Sequence, residues 1–345
     1  MLALQVVAAC AMLLAPALGT LLNIPPAYRN GTVAVERLSV AGNLDGAKIK
    51  TAANKSSFDF WYFGAMSSSN NAGVIVSGSF PNGSLFTGEA LATADAVLSN
   101  CSGAIAGVWG GTGASFTGTN LDKPNVEYHI HLDMASIGIK GAVTLKSRAP
   151  ARYPCSLNVP GANQEILPHL YWSNAVPDAE AIVNLDINGT SISFTNGIGY
   201  HDKNWGDAPV YASARSWDWG HARFGPYSAV WFDILDRNLS EHVYAFVAKE
   251  GEPILVSCDD AALRVRQWGG DATYPPVSGL GQVDGLAARI DLGNGEVLVA
   301  NMTTALLIED LGGGIFTRAI GSVKGGIEGS DIFEGRAMYD ENIFG

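Results

Sequence analysis

Between Thr32 and Ile308 the chain is built almost entirely of short runs in which apolar and polar residues alternate, each closed by Gly, Asn or Pro. TVAVERLSV, SFDFWYFGA, GVIVSGSF, VEYHIHLDM and GAVTLKS carry the pattern in the first half. AIVNLDI, SISFTNG, SARSWDWGHARF, YSAVWFDILD, HVYAFVAKE, EPILVSC and EVLVANMTTALLI carry it in the second. A period of two sends successive side chains to opposite faces, the geometry of a strand with one face in a core. A helical stripe needs a period near 3.6, and Gly88–Ser99 is the one candidate. The pattern predicts an all-β chain of antiparallel sheets folded into sandwiches or barrels, and it excludes helical bundles and doubly wound folds.

The 345 residues are enough for two domains or one large barrel, and 47% hydrophobic content with 41 glycines suits a buried core joined by tight turns. Residues 148–170, RAPARYPCSLNVPGANQEILPHL, hold four prolines and no clear alternation, and read as a linker or long crossover. The division is therefore set at residue 165, giving a first β domain over 20–165 and a second over 166–345. A net charge of −12 without clustered Lys or Arg excludes a nucleic-acid partner.

The N-terminus, MLALQVVAACAMLLAPALG, has no charged side chain before Arg29 and carries Pro16, Ala17 and Gly19 at its end. It reads as a cleaved signal peptide over 1–19, with an uncleaved anchor as the alternative. No later stretch is apolar and long enough to span a membrane. Seven N-x-S/T sequons follow, at Asn30, Asn54, Asn82, Asn100, Asn188, Asn238 and Asn301, and are expected to be glycosylation acceptors of a secreted or secretory-pathway protein. Cys10 leaves with the signal. Cys101 and Cys155, both beside turn-rich segments, are expected to form the disulfide, with Cys258 buried in the strand ILVSC; three free thiols are the alternative. No zinc-type spacing is present, and neither a metal nor a cofactor is expected.

Chemistry concentrates in residues 201–236, which hold four of the eight tryptophans. SARSWDWGHARF, a Gly225-Pro226 turn and YSAVWFDILD read as a hairpin. Period two puts Arg215, Trp217, Trp219, His221 and Arg223 on one face of its first strand. A two-residue loop pairs Phe224 with Tyr227 and brings Ser228, Val230, Phe232 and Ile234 to the same face. Aromatics and aliphatics with a few donors suit an apolar small molecule, although such a face also describes plain barrel filling. His201, Asp202 and Lys203 could form a proton-transfer set, or the run HDKNWG could be a turn in which Asp and Asn cap backbone groups.

HDKNWG at 201–206 followed by SWDWGHARFGPY at 216–227 resembles the AttH-like, carotenoid-hydratase superfamily of paired lipocalin-like β domains. FDFWYFGA at 58–65, GVWGGTGASF at 107–116 and GSVKGGIEGSDIFEGRAMYDE at 321–341 fit the same resemblance. It implies two lipocalin-like antiparallel domains packed together, with a pocket lined from both. It implies binding roles for Trp61, Tyr171, Trp172, Trp205, Trp217 and Trp219, to which the hairpin's shared face adds Phe232. Polar roles fall by the same resemblance to His201, Asp202, His221 and Tyr62, and by their chemistry alone to Lys203 and Arg215. The fungal branch contains Diels–Alderases, and the secretion signal and sequon load resemble hetero-Diels–Alderases that join a tropolone quinone methide to a humulene-type sesquiterpene. That reaction needs apolar substrates held in one approach geometry and no cofactor. A hydratase, dehydratase or cyclase on a terpenoid or polyketide and a secreted carrier without catalysis are the alternatives.

Overall fold

The computed structural model describes residues 20–24, 27–80, 96–101, 103–312 and 315–344. The expected signal peptide, Asn82 and the part of the expected helix before Ala96 lie outside these residues. The rest of that expected helix is a strand, Ala96–Cys101. Among the described residues the only helical turns are Ala135–Ile137 and Val210–Ala212, and no helix is long and apolar enough to cross a membrane.

Two curled antiparallel sheets make up the fold. The first runs, in spatial order, Thr20–Ile24, Ala96–Cys101, Ala104–Trp109, Ala114–Thr119, Glu127–Met134, Ile139–Ser147, Leu170–Ile187, Thr190–Gly206, Phe58–Met66 and Gly73–Phe80. The second runs Glu252–Ser257, Glu241–Lys249, Tyr227–Asp236, Ala214–Phe224, Phe333–Ile343, Phe316–Ile327, Val297–Asp310, Gly285–Asp291 and Leu263–Trp268. The chain changes sheet between Gly206 and Ala214, not at residue 165. The proline-rich segment 148–170 stays with the first sheet, where Arg152 pairs with Asn174 and Glu165 with Tyr171. Pro177 cannot donate to the ladder, and the register of its strand slips between Val176 and Ala179.

Alternation sorts the apolar residues into three cores. Trp61, Phe63, Tyr128 and Val183 fill the first sheet against the N-terminal segment. Ala222, Trp231, Val247 and Tyr339 fill the second. Tyr62, Trp172, Tyr200, Trp217, Trp219 and Phe232 lie between the two sheets. The hairpin Ala214–Asp236 has the expected register: Phe224 pairs with Tyr227, and Trp219 with Phe232. Gly220 is required there, because a Cβ would fall on the Trp231 ring.

The disulfide joins Cys155 to Cys258, with Cα atoms 5.1 Å apart, and not to Cys101. Cys155 sits in the turn between the short strands Arg152–Tyr153 and Ser156–Leu157, beside Leu170–Ile187, and Cys258 follows the edge strand of the second sheet. Four strands separate Ala96–Cys101 from Leu170–Ile187 in the sheet order, so Cys101 is far from that turn. The side chains of Cys101 and Asn100 are outside the described residues. Of the other sequons, Asn30, Asn188, Asn238 and Asn301 are exposed, whereas Asn54 is half-buried and donates to the Gly31 carbonyl at 2.9 Å.

Three carboxyls lie in one row across the second sheet, since Asp218 pairs with Asp233 on one side and Glu341 on the other. Burial pushes Asp218 well above the usual carboxylate range, reinforced by repulsion from Glu341 and Asp233; burial with repulsion from Glu241 pushes Asp233 up to about 8, and burial pushes Glu341 up to about 7. A folded-state pKa raised this way gives stability at low pH that is lost as pH rises through it. Melting temperature should therefore fall as pH rises from about 5 to 9, and Asp218→Asn should flatten that slope; a flat native profile would contradict the arrangement.

Candidate active site

Beyond the register shift at residues 194–197, the even-numbered residues of 198–206 face the second sheet, and the odd-numbered His201, Lys203 and Trp205 face away from it. Between the sheets lies a cavity with about 370 Å³ of unfilled space, its mouth included. The first sheet contributes Phe60, Tyr62, Asp202 and Asn204. The second contributes Trp217, Trp219, Phe232, Arg318 and Asp340.

Asp202 is the acid of this cavity. Its Oδ2 accepts hydrogen bonds from the Trp172 indole at 2.9 Å and the Tyr200 hydroxyl at 2.7 Å. Its Oδ1 has only the Asn204 amide, at 3.4 Å. A proton on this carboxyl therefore resides on Oδ1. Burial pushes the carboxyl up to about 6, against the two hydrogen bonds that favour the anion. Such a group exchanges protons near neutral pH.

Opposite it, Arg318 donates from Nε to Asp340 at 2.6 Å and from Nη2 to the second carboxylate oxygen. Its guanidinium carbon lies 4.8 Å from the centre of the Tyr62 ring. Tyr62 donates to the Met338 sulfur at 3.1 Å, and burial pushes its hydroxyl so far up that it stays a neutral donor. Trp219 meets Tyr62 edge-on at 5.3 Å, and Trp217 meets Phe232 the same way at 5.2 Å.

The same alternation removes His201 and Lys203 from the cavity. His201 donates from Nδ1 to the Tyr62 carbonyl at 2.8 Å, and its Nε2 lies 3.0 Å from Asp45. Its ring stacks on Phe63 at 4.0 Å. Lys203 is buried on Asp59, with Nζ 3.2 Å from the centre of the Trp61 ring, and burial lowers its pKa to about 8. Trp61 donates to the Asp45 carbonyl and Trp205 to the Glu36 carbonyl, while Tyr171 stacks on Trp205. These side chains hold the N-terminal segment onto the first sheet. The expected set His201–Asp202–Lys203 is thus split across a strand, and Trp61, Tyr171 and Trp205 lie on the far face.

Arg215 sits at a bulge, where Ala214 pairs with Asp236 but Ser216 with Leu235, and drops out of the aromatic face. His221 lies on that face, stacked on Tyr200 at 4.7 Å, behind the cavity lining. Burial and the nearby Arg223 charge lower its pKa to about 3, so it is neutral and unfit as an acid. Trp172 holds Asp202 and meets Phe232 edge-on at 5.4 Å. Sequence reasoning missed Phe60, Asn204, Arg318 and Asp340. Phe60 and Asn204 stand two residues from Tyr62 and Asp202, so alternation carries the signal for both. Arg318, in GIFTRAIG, carries none.

The chain belongs to the Diels-Alderase-like family, whose model matches residues 78–268. It is similar to the quinolone epoxide rearrangement protein asqO of Emericella nidulans, with 38% identity over 341 residues, covering 92% of this chain and 91% of the relative. The quinolone epoxide rearrangement protein penF of Penicillium thymicola is 37% identical over 339 residues, 91% of this chain and 93% of its own. The crystal structure of CghA shares the fold, with a TM-score of 0.71, 17% identity, and coverage of 95% of this chain and 99% of that one. These relations support a cyclase- or pericyclase-type enzyme.

Proposed function

We propose that the chain isomerises an epoxide borne by an apolar quinolone-type small molecule, with Asp202 as the proton donor. The observation that carries this reading is a carboxyl held near pKa 6 on the wall of an aromatic cavity, its Oδ2 bound by Trp172 and Tyr200 and its Oδ1 left with only the long Asn204 contact. The two relatives named for quinolone epoxide rearrangement support the substrate class.

In this mechanism the Asp202 Oδ1 proton passes to the epoxide oxygen as the C–O bond at the more stabilised carbon breaks. The resulting cation faces the rings of Tyr62, Trp217, Trp219 and Phe232, whose π-faces stabilise positive charge and exclude water. A bond or oxygen of the substrate itself closes on the cation, and the proton released returns to the Asp202 carboxylate. Product and substrate are isomers, so the step needs no oxidant, reductant or co-reactant. Arg318, fixed by Asp340, offers remaining Nη hydrogens to a ring carbonyl of the substrate.

The tropolone–humulene cycloaddition expected from the sequence needs orientation above all, and a proton donor only where the quinone methide is first generated by dehydration. Both reactions are read by chiral chromatography of the two substrate sets incubated with and without protein. The epoxide should yield one isomer, at a rate that falls about tenfold per pH unit above roughly pH 6. A single-enantiomer adduct from the tropolone pair with the epoxide untouched would overturn the proposal. A secretory location belongs to the same reading; the disulfide and the four exposed sequons support it.

A further inference from the structure

Arg152 is a fully buried cation that the mechanism above leaves idle, and unlike the buried Lys48 and Lys203 it has no carboxylate partner among the described residues. It lies wholly inside the protein at the junction of the two sheets. Its Nε donates to the Asn174 side chain at 3.3 Å, whereas Nη1 and Nη2 have no hydrogen-bond partner in the structure. Among the described residues no carboxylate lies within ion-pair distance of it. Its guanidinium carbon is 4.5 Å from the centre of the Trp172 ring and 5.3 Å from that of Phe246. An unpaired buried charge costs several kcal/mol, so a fold that keeps one gains something from it. Trp172 shows where that gain is made, because the indole beneath the guanidinium donates its N–H to Asp202.

We propose that Arg152 is a positioning residue of the active site: stacked on Trp172, it polarises the indole whose N–H holds Asp202 Oδ2, and so favours the carboxylate left after proton transfer. This rests on the reading of Asp202 as the proton donor. A cation over an aromatic face draws electron density toward itself and makes the ring N–H a stronger donor. Burial lowers the guanidinium to about 10, against the pull of Tyr200 and Asp202, so it stays charged across the working range. The other groups around Asp202 are Tyr62, Tyr200 and Asn204 of the first sheet and Arg318 and Asp340 of the second, with His201 beside it on the opposite face. Arg318 is already committed to Asp340, which leaves Arg152 as the cation whose charge is not cancelled by a paired carboxylate.

The test is a carbon-13 titration of the Asp202 carboxyl in ligand-free protein, the signal assigned by its loss in Asp202→Asn. Arg152→Met should raise the midpoint by about one pH unit, and Arg152→Lys, which keeps the charge, should restore most of the native value. Arg152→Gln, neutral but still able to bond Asn174, gives the same reading if the Met variant does not fold. An unmoved midpoint in a folded neutral variant would overturn the proposal and leave Arg152 a packing residue. Because no substrate is present, that failure is separate from failure of the epoxide reaction. A midpoint that moves in a protein that does not turn over the epoxide keeps the coupling and overturns only the reaction.

Discussion

Asp202→Asn should lower turnover about 10²–10⁴-fold while leaving the protein folded, because it deletes the general acid and little else. The carbonyl of Asn can take the place of Oδ2 and accept from both Trp172 and Tyr200. Its amide then takes the place of Oδ1, isosteric with the acid but without a proton to give. Substrate binding should change little, since the aromatic walls are untouched, and the loss should appear in kcat. His201→Asn supplies the contrast. That residue bridges the Tyr62 carbonyl and Asp45 on the far face of the same strand. Its variant should lose stability and, where folded, make the same isomer. Steady-state kinetics with thermal melts on the two variants separate the roles. An active Asp202→Asn beside a folded, inactive His201→Asn would move the acid back to the histidine.

Removing the Cys155–Cys258 bond has the largest expected effect on stability. The two cysteines are 103 residues apart in sequence, and closing a loop of that size restrains the unfolded chain by about 4–5 kcal/mol in the chain-entropy model. The bond also ties the hairpin at 152–157 to the edge of the second sheet, so it fastens together the two halves that enclose the cavity. Chemical denaturation of the Cys155→Ser/Cys258→Ser variant should show a correspondingly earlier midpoint, and Cys101→Ser should match the native protein. A stable double variant with a destabilised Cys101→Ser would reinstate the Cys101–Cys155 pairing.

The sequence resolved local pattern and missed what is set at long range. The hairpin Ala214–Asp236 was legible down to its register, because its two-residue loop and alternating tryptophans fix one pairing. From that register followed the shared face of Trp217, Trp219 and Phe232, which is the second-sheet wall of the cavity. HDKNWG was ambiguous because its polar residues look like a turn. It is the end of a 17-residue strand, Thr190–Gly206, paired on both sides, and the polar side chains on its far face are satisfied by the N-terminal segment at Glu36 and Asp45 and by Asp59 of the neighbouring strand. Those partners lie more than a hundred residues upstream, and no local rule names them. Once the run is known to be a strand, period two alone separates Asp202 from His201 and Lys203. Arg318 was invisible for the same reason, since its role depends on Asp340 in the neighbouring strand and on Tyr62 across the cavity.

The most direct measurement is the product mass after incubating the quinolone epoxide in water enriched in oxygen-18, with native protein and with Asp202→Asn. Native protein should give an isomer of the substrate carrying no heavy oxygen, and Asp202→Asn should give almost none. A diol carrying one heavy oxygen, or equal conversion by the two proteins, would contradict the account.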